Sequence, residues 1–169
     1  MGNIENLKNK EAIFKLQNLV DDIMICLFCT NLKTDNGSTC RPMTALKVCD
    51  QGSIWFFSEK KSEKNKEISA DKMVQLFFSY PSIGSYLIVN GEAEIILDKT
   101  KMEDSWKHVA KIWFKEGIND PNISIIKVTP SDAYYWDLDG NRMINFLKSV
   151  VSVVTGANLV TGNQGALTV

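Results

Sequence analysis

The chain has 169 residues, 44% of them hydrophobic, which suits one domain with a sizeable core. Its 19 basic and 20 acidic residues nearly cancel, leaving a net charge of −1, so no global basic field marks it for nucleic acid. No apolar run is long enough to span a bilayer, and the opening M-G-N-I-E-N-L-K carries neither a signal-peptide core nor the hydroxyl residue of a myristoylation motif. The expected location is the cytoplasm.

Ala12, Ile13, Leu16, Leu19, Val20 and Ile23 recur at helical spacing, so Lys8–Asp22 reads as an amphipathic helix laid on a core. The apolar run Ile23–Thr30 suits a buried strand, and Asp35-Asn36-Gly37 returns the chain antiparallel. Two alternating runs, Thr39–Cys49 and Ser53–Ser58, flank Asp50-Gln51-Gly52 and read as a β-hairpin. Ser62 then opens a short helix over Glu63–Ala70. Strand-like runs Met73–Tyr80 and Ser85–Leu97 follow, separated by Pro81, and Gly91 in the later one suggests a bulge, a bend or a close backbone approach. Thr100-Lys101-Met102-Glu103 has the form of a capping box, and the helix it starts places Trp106, Val109, Ala110 and Trp113 on one face. Ile123–Val128 and Ala133–Leu138 read as two strands parted by Pro130. Asp139-Gly140-Asn141 marks a turn before Met143–Leu147 and Val150–Thr155, and residues 155–169 read as a loose tail. Many strands on short turns, with no βαβ alternation, point to a mainly β domain: an antiparallel barrel with peripheral helices.

The clearest chemical signal lies where the hairpin meets the short helix. A strand end carrying Ser58 and a helix start carrying Ser62 and Lys64 suit a phosphate, because free backbone N–H groups and the positive end of the helix dipole face the anion. Arg41 could reach the same anion with a planar fork of donors. The same spacing also fits a capped surface helix whose charges are merely solvated.

Other constellations carry less. Cys26, Cys29, Cys40 and Cys49 sit in apolar runs and read as reduced, buried hydrophobes of a reducing compartment. Cys26-x-x-Cys29 resembles half a zinc or redox motif, but residues three apart on a strand face opposite ways, so neither metal nor dithiol chemistry is expected. His108, the single histidine, reads as a solvent-facing helix residue outside any triad. Trp106 reads as core; Trp113 and Trp136 fit either packing or contact with a ring-shaped ligand. Asp137 and Asp139, at the edge of a turn, fit solvation or turn capping.

Six pieces of the chain in register resemble a known family. They are Arg41-Pro42-Met43, D-Q-G-S-I-W-F-F-S (Asp50–Ser58), S-E-K-N-K-E-I (Ser62–Ile68), V-N-G-E-A-E-I (Val89–Ile95), W-F-K-E-G-I-N-D-P (Trp113–Pro121) and A-Y-Y-W-D (Ala133–Asp137). Together they resemble the FMN-binding split barrels related to pyridoxamine 5'-phosphate oxidase, in the general stress protein branch. The resemblance implies a six-stranded antiparallel split β-barrel that pairs as a homodimer, with FMN in a cleft at the subunit interface. It implies that Arg41, Pro42, Met43 and Thr44 line the flavin. The oxidase's Tyr-Thr pair falls on Phe57 and Ser58, its Ser-Arg-Lys phosphate clamp on Ser62, Glu63 and Lys64, and a flavin-contacting glutamine on Tyr86. Trp113 and Trp136 are further candidates for ring contacts.

Two departures bear on function. Glu63 replaces the arginine of the clamp, and the tail has no counterpart to the oxidase's Arg-x-His substrate grip, so oxidation of vitamin B6 phosphates is not expected. The function so implied is a flavin-dependent oxidoreductase using a reduced nicotinamide or another donor. A flavin-binding or flavin-buffering stress protein without turnover is the alternative, and the same barrel holding FAD, haem or a deazaflavin is a third.

Overall fold

The computed structural model describes residues 3–33, 37–101, 106–138 and 162–169. Two short strands, β1 (Asn3–Ile4) and β2 (Leu7–Lys8), precede helix α1 (Asn9–Ile23). Then come β3 (Ile25–Thr30), β4 (Thr39–Val48), β5 (Ile54–Glu59), α2 (Glu63–Ala70), β6 (Met73–Tyr80), β7 (Ser85–Ile96), α3 (Trp106–Trp113), β8 (Ile123–Asp137) and β9 (Asn163–Thr168). The pairs β8–β5, β5–β4, β4–β3, β3–β6, β6–β7 and β7–β8 are all antiparallel and close on themselves, giving the expected six-stranded barrel.

Period-two alternation fills the barrel. Phe28, Phe56, Leu76, Phe78, Leu87, Val89, Ile126 and Tyr135 point inward and are buried. Phe28 meets Phe56 edge to face, with ring centroids 5.3 Å apart. Helix α1 buries Ala12, Leu16, Leu19 and Val20 against the same core, as its spacing predicts. A smaller cluster lies on the outer side of β5, where Trp106 of α3 packs on Trp55 and Phe57 at 5.8 and 6.0 Å between centroids. Trp106 is therefore core, and α3 is held against the barrel wall.

Three expectations are corrected. Ile123–Asp137 is one continuous strand, not two parted by Pro130. Pro130 faces Gly91 at a register shift, where any side chain on Gly91 would collide with the Thr129 carbonyl. There β8 has stopped pairing with β5 and has yet to meet β9, so Pro130 falls at a bulge where that side of the strand is an edge, the setting in which a sheet tolerates proline. The tail is not loose throughout: residues 163–168 form β9, antiparallel to β8 and parallel to β1 and β2. Gly165 makes this possible, because the Glu5 carbonyl occupies the space a Cβ would need.

The third correction concerns the cysteines. Cys29 and Cys40 are directly opposite on β3 and β4, with Cα atoms 4.1 Å apart, and form a disulfide. The Cys26-x-x-Cys29 spacing is indeed split between the two faces of β3, but the relevant partner comes from across the ladder. Cys26 and Cys49 are free thiols.

The capping-box threonine, Thr100, sits in a 3-10 turn over Lys99–Lys101, with Asp98 Oδ1 accepting from its N and Oγ1 at 2.9 and 2.7 Å. Its partner Glu103, the His108 side chain, the Asp139-Gly140-Asn141 turn and the strands expected at Met143–Leu147 and Val150–Thr155 lie outside the described residues. Among the described residues no helix is long and apolar enough to cross a membrane.

Candidate functional site

A cleft of about 420 Å³ opens beside β4 and β5, walled by α2 on one side and by the segment 113–122 after α3 on the other. Pro42, Met43 and Leu46 of β4, with Phe57 of β5, form an apolar floor that Thr44 interrupts with a hydroxyl residue. Phe57 is held in place by Trp106 and by Phe114, 6.1 Å away, both in edge-to-face contact. Trp113 stands at the wall and is 63% exposed, leaving a large aromatic face open to the cleft. The loop that completes this wall is tied to the strand end, since Lys60 N donates to Asn122 O at 2.6 Å and Asn122 N to Asp120 Oδ1 at 2.8 Å.

Helix α2 is locked onto the barrel by a buried polar hub. Ser62 is its N-cap, its hydroxyl accepting from Asn65 N at 3.3 Å. Asn65 is buried; it accepts from Ser58 Oγ at 2.7 Å and donates to Ser124 Oγ at 3.0 Å and Lys60 O at 3.3 Å. The hydroxyls of Ser58 and Ser62, read from the sequence as anion contacts, are thus 3.4 Å apart and bonded within the helix anchor, and neither residue lines the cleft.

Arg41 takes the inward parity of β4, opposite Phe28, while its neighbours Cys40 and Pro42 take the outward one. Its Nη1 donates to Thr30 Oγ1 at 2.9 Å and its Nη2 to Glu67 Oε2 at 2.7 Å, and Thr30 Oγ1 donates to the same carboxylate oxygen at 2.6 Å. Glu67 lies one turn beyond Lys64 on α2. Burial pushes the Glu67 carboxyl up, but the bonds from Thr30 and Arg41 outweigh it and hold the carboxyl below its usual range.

Lys64 lines the cleft and has no ion-pair partner among the described residues. Burial of its ammonium, and then repulsion from Arg41, lower its pKa to about 8 against the pull of Glu59 and Glu67. A partly buried cation with a second cation close behind it is an electrostatic vacancy for an anion. With the apolar floor and the open indole of Trp113, the cleft suits a ligand that is aromatic at one end and anionic at the other.

The remaining candidates lie elsewhere. Glu63 projects into solvent, with 78% of its side chain exposed, and pairs with Lys66 at 2.6 Å, so it does not face Lys64's side of the helix. Tyr86 and Trp136 are opposite one another on β7 and β8, about two-fifths exposed, and neither lines the cleft. Asp137 is not a bare turn cap: it accepts from Lys15 Nζ at 2.5 Å and Ser85 Oγ at 2.6 Å. Sequence reasoning missed Glu59 and Asn122 in the cleft, and Asn65 and Glu67 in the anchor. The last two stand at helical spacing from Ser62 and Lys64, a signal that was present once α2 was recognised.

The likeness to known proteins agrees with this architecture. Residues 11–159 match the family model described as pyridoxamine 5'-phosphate oxidase like. A curated relative, protein bli-3 of Neurospora crassa, is 24% identical over 122 residues, 66% of this chain, and the chain spans 58% of that relative's length. A structure described as a general stress protein 26 from Jannaschia sp. CCS1 superposes with a TM-score of 0.78 at 21% identity, covering 95% of this chain and 99% of the other. The general stress FMN/FAD binding protein of Xanthomonas citri gives 0.62 at 22% identity, over 78% of this chain and 92% of the other. At these identities the superpositions speak to the fold, a split barrel built on the same strand plan. The family model covers most of the sequence, from the first turn of α1 past the end of β8, and on that ground this chain belongs to the pyridoxamine 5'-phosphate oxidase like family.

Proposed function

We propose that this protein binds flavin mononucleotide in the cleft over Pro42–Leu46 and works as a flavin-dependent oxidoreductase. Lys64 is the observation that carries the reading: a partly buried ammonium without an ion-pair partner among the described residues, lowered to about 8 by burial and by Arg41. A phosphate there would relieve that repulsion. The apolar floor and Trp113 would take the ring system, and β4 would position it through backbone and side chains of Pro42, Met43 and Thr44. The bound isoalloxazine supplies the electron-carrying chemistry; the protein's part is to position it and exclude water.

The assembly proposed is a cytoplasmic homodimer. Across β4, β3, β6, β7 and β8 the outward residues Pro42, Leu27, Phe77, Ile88 and Tyr134 are register neighbours and form one apolar row. Leu27 and Ile25 beside it are 50% and 57% exposed. The row begins at Pro42 in the cleft and runs toward Tyr86 and Trp136. A second copy laid on it would cover the cleft and bring its own Tyr86 and Trp136 toward the ring.

Titration of the purified protein with flavin mononucleotide, followed by flavin fluorescence, tests the binding. Saturable uptake that Lys64→Ala weakens supports it, and no uptake overturns it. Steady oxidation of a reduced nicotinamide with an added acceptor then separates turnover from flavin buffering.

A further inference from the structure

The outward row next to the apolar one is polar: Cys40, Cys29, Gln75, Asn90 and Asp132 stand side by side across five strands. Gln75 Nε2 donates to Asn90 Oδ1 and Asn90 Nδ2 to Asp132 Oδ1, each at 2.8 Å, so this row is a wet rim. The Cys29–Cys40 disulfide sits at its end, two residues along β4 from Pro42.

Its two sulfurs are not equivalent. Cys29 is 2% exposed, walled in by β4 and β6, whereas Cys40 belongs to an exposed residue near the start of β4. A nucleophile can therefore approach only one end of the bond. The ladder pairs Thr30 with Thr39 and Phe28 with Arg41 on either side, so strand register does not depend on the cross-link. In a reducing compartment a disulfide is characteristically transient and redox-sensing rather than structural.

We propose that Cys29–Cys40 is a reversible thiol-exchange site, with Cys40 the sulfur attacked by an incoming thiol and Cys29 the leaving group. The incoming thiolate bonds to Cys40 Sγ as the Cys29–Cys40 bond breaks, and Cys29 departs with the electron pair and takes up a proton. A second thiolate then attacks the mixed disulfide, releasing the external disulfide and the Cys40 thiolate. Two external thiols are oxidised and the protein disulfide gains two electrons. The next residue on each strand is Thr30 or Arg41, so the bond adjoins the pair that fastens Glu67 and α2. The proposal rests on the cytoplasmic location proposed above and not on flavin.

The test incubates the folded full-length protein with a graded small monothiol/disulfide buffer, quenches in acid, alkylates and maps each cysteine by fragmentation of its peptide, which also tells Cys29 from Cys26 on the shared 16–33 fragment. Cleavage after Lys33 separates Cys29 from Cys40. The expected result is full, reversible opening with unchanged far-UV circular dichroism, and a trapped mixed disulfide on the Cys40 peptide. Cys29→Ser should then take up the small disulfide at Cys40, while Cys40→Ser leaves Cys29 unmodified. Cys26 is buried, its thiol pushed up to about 12, and serves as the inert control; Cys49 is mapped separately. A bond that opens only in denaturant, or a mixed disulfide found on Cys29, overturns the assignment. Should either variant not fold, the trapping in the unaltered chain decides alone.

Discussion

Arg41 and Glu67 share a 2.7 Å ion pair with both side chains about four-fifths buried, so the arginine expected at an anion site is committed to the helix that carries Lys64. The carboxylate also accepts from Thr30, which makes the three residues one unit clamping α2 to β3 and β4. Arg41 still acts on the cleft, through space: its charge helps to lower the Lys64 pKa.

Glu67→Gln should therefore destabilise the fold by about 1.5–3 kcal/mol, the range for a hydrogen bond to a charged group, since Arg41 would be left without its counter-charge. Urea unfolding at pH 7 measures it. The wild type should lose the same contribution in acid. The folded carboxyl is held below its ordinary 4.5, so the stabilisation is present above that value and fades as the pH falls through the folded pKa. The loss below pH 4.5 should be smaller in Glu67→Gln, and parallel acid profiles would contradict the clamp.

Lys64 shares that pH direction, but its buried charge works against the fold rather than for it. Its folded pKa is about 8 against 10.5 for an unperturbed lysine, so between those values the unfolded chain binds more protons and ligand-free stability rises with pH. Lys64→Met should accordingly stabilise the ligand-free protein at pH 7 while weakening flavin mononucleotide by about 1.5–3 kcal/mol. Thermal unfolding without ligand and a flavin titration read the two effects. A variant that loses both stability and affinity would place the lysine in a structural role instead.

Glu63→Arg tests the comparison with the oxidase clamp. The native side chain points to solvent and pairs with Lys66, so the change should alter flavin affinity by less than about 0.5 kcal/mol, the scale of an exposed charge. A tenfold tighter complex would mean that residue 63 reaches the cleft when the ligand is bound.

The barrel and α2 were legible because alternation and the Ser62 cap are local signals, carried within a few residues of the element they define. What was hidden depends on register between distant strands. Nothing near Cys29 announces Cys40, and only the pairing of β3 with β4 sets them opposite. The same register turns Arg41 inward to Glu67. Pro130 looked like a strand end because its harmlessness depends on Gly91, 39 positions earlier, being its partner. β9 was illegible since N-Q-G-A-L-T has weak strand character of its own and is recruited by the free edge of β8 and by β1 and β2.

The apolar outward row gives the last prediction. Leu27 stands at its centre, between Pro42 and Phe77, with half its surface exposed in the single chain. If a second copy covers this row, Leu27→Asp would bury an unpaired carboxylate, at a cost of several kcal/mol, and should weaken dimerisation by on the order of a hundredfold or more. In the isolated chain the same aspartate faces water, so the barrel itself should remain folded. Sedimentation across a concentration series should show a dimer for the wild type and a monomer for the variant, with circular dichroism unchanged. Because the row begins at Pro42, the monomer should also hold flavin mononucleotide more weakly. A variant that dimerises like the wild type would move the interface to another face, and with it the route by which Tyr86 and Trp136 could reach the ring.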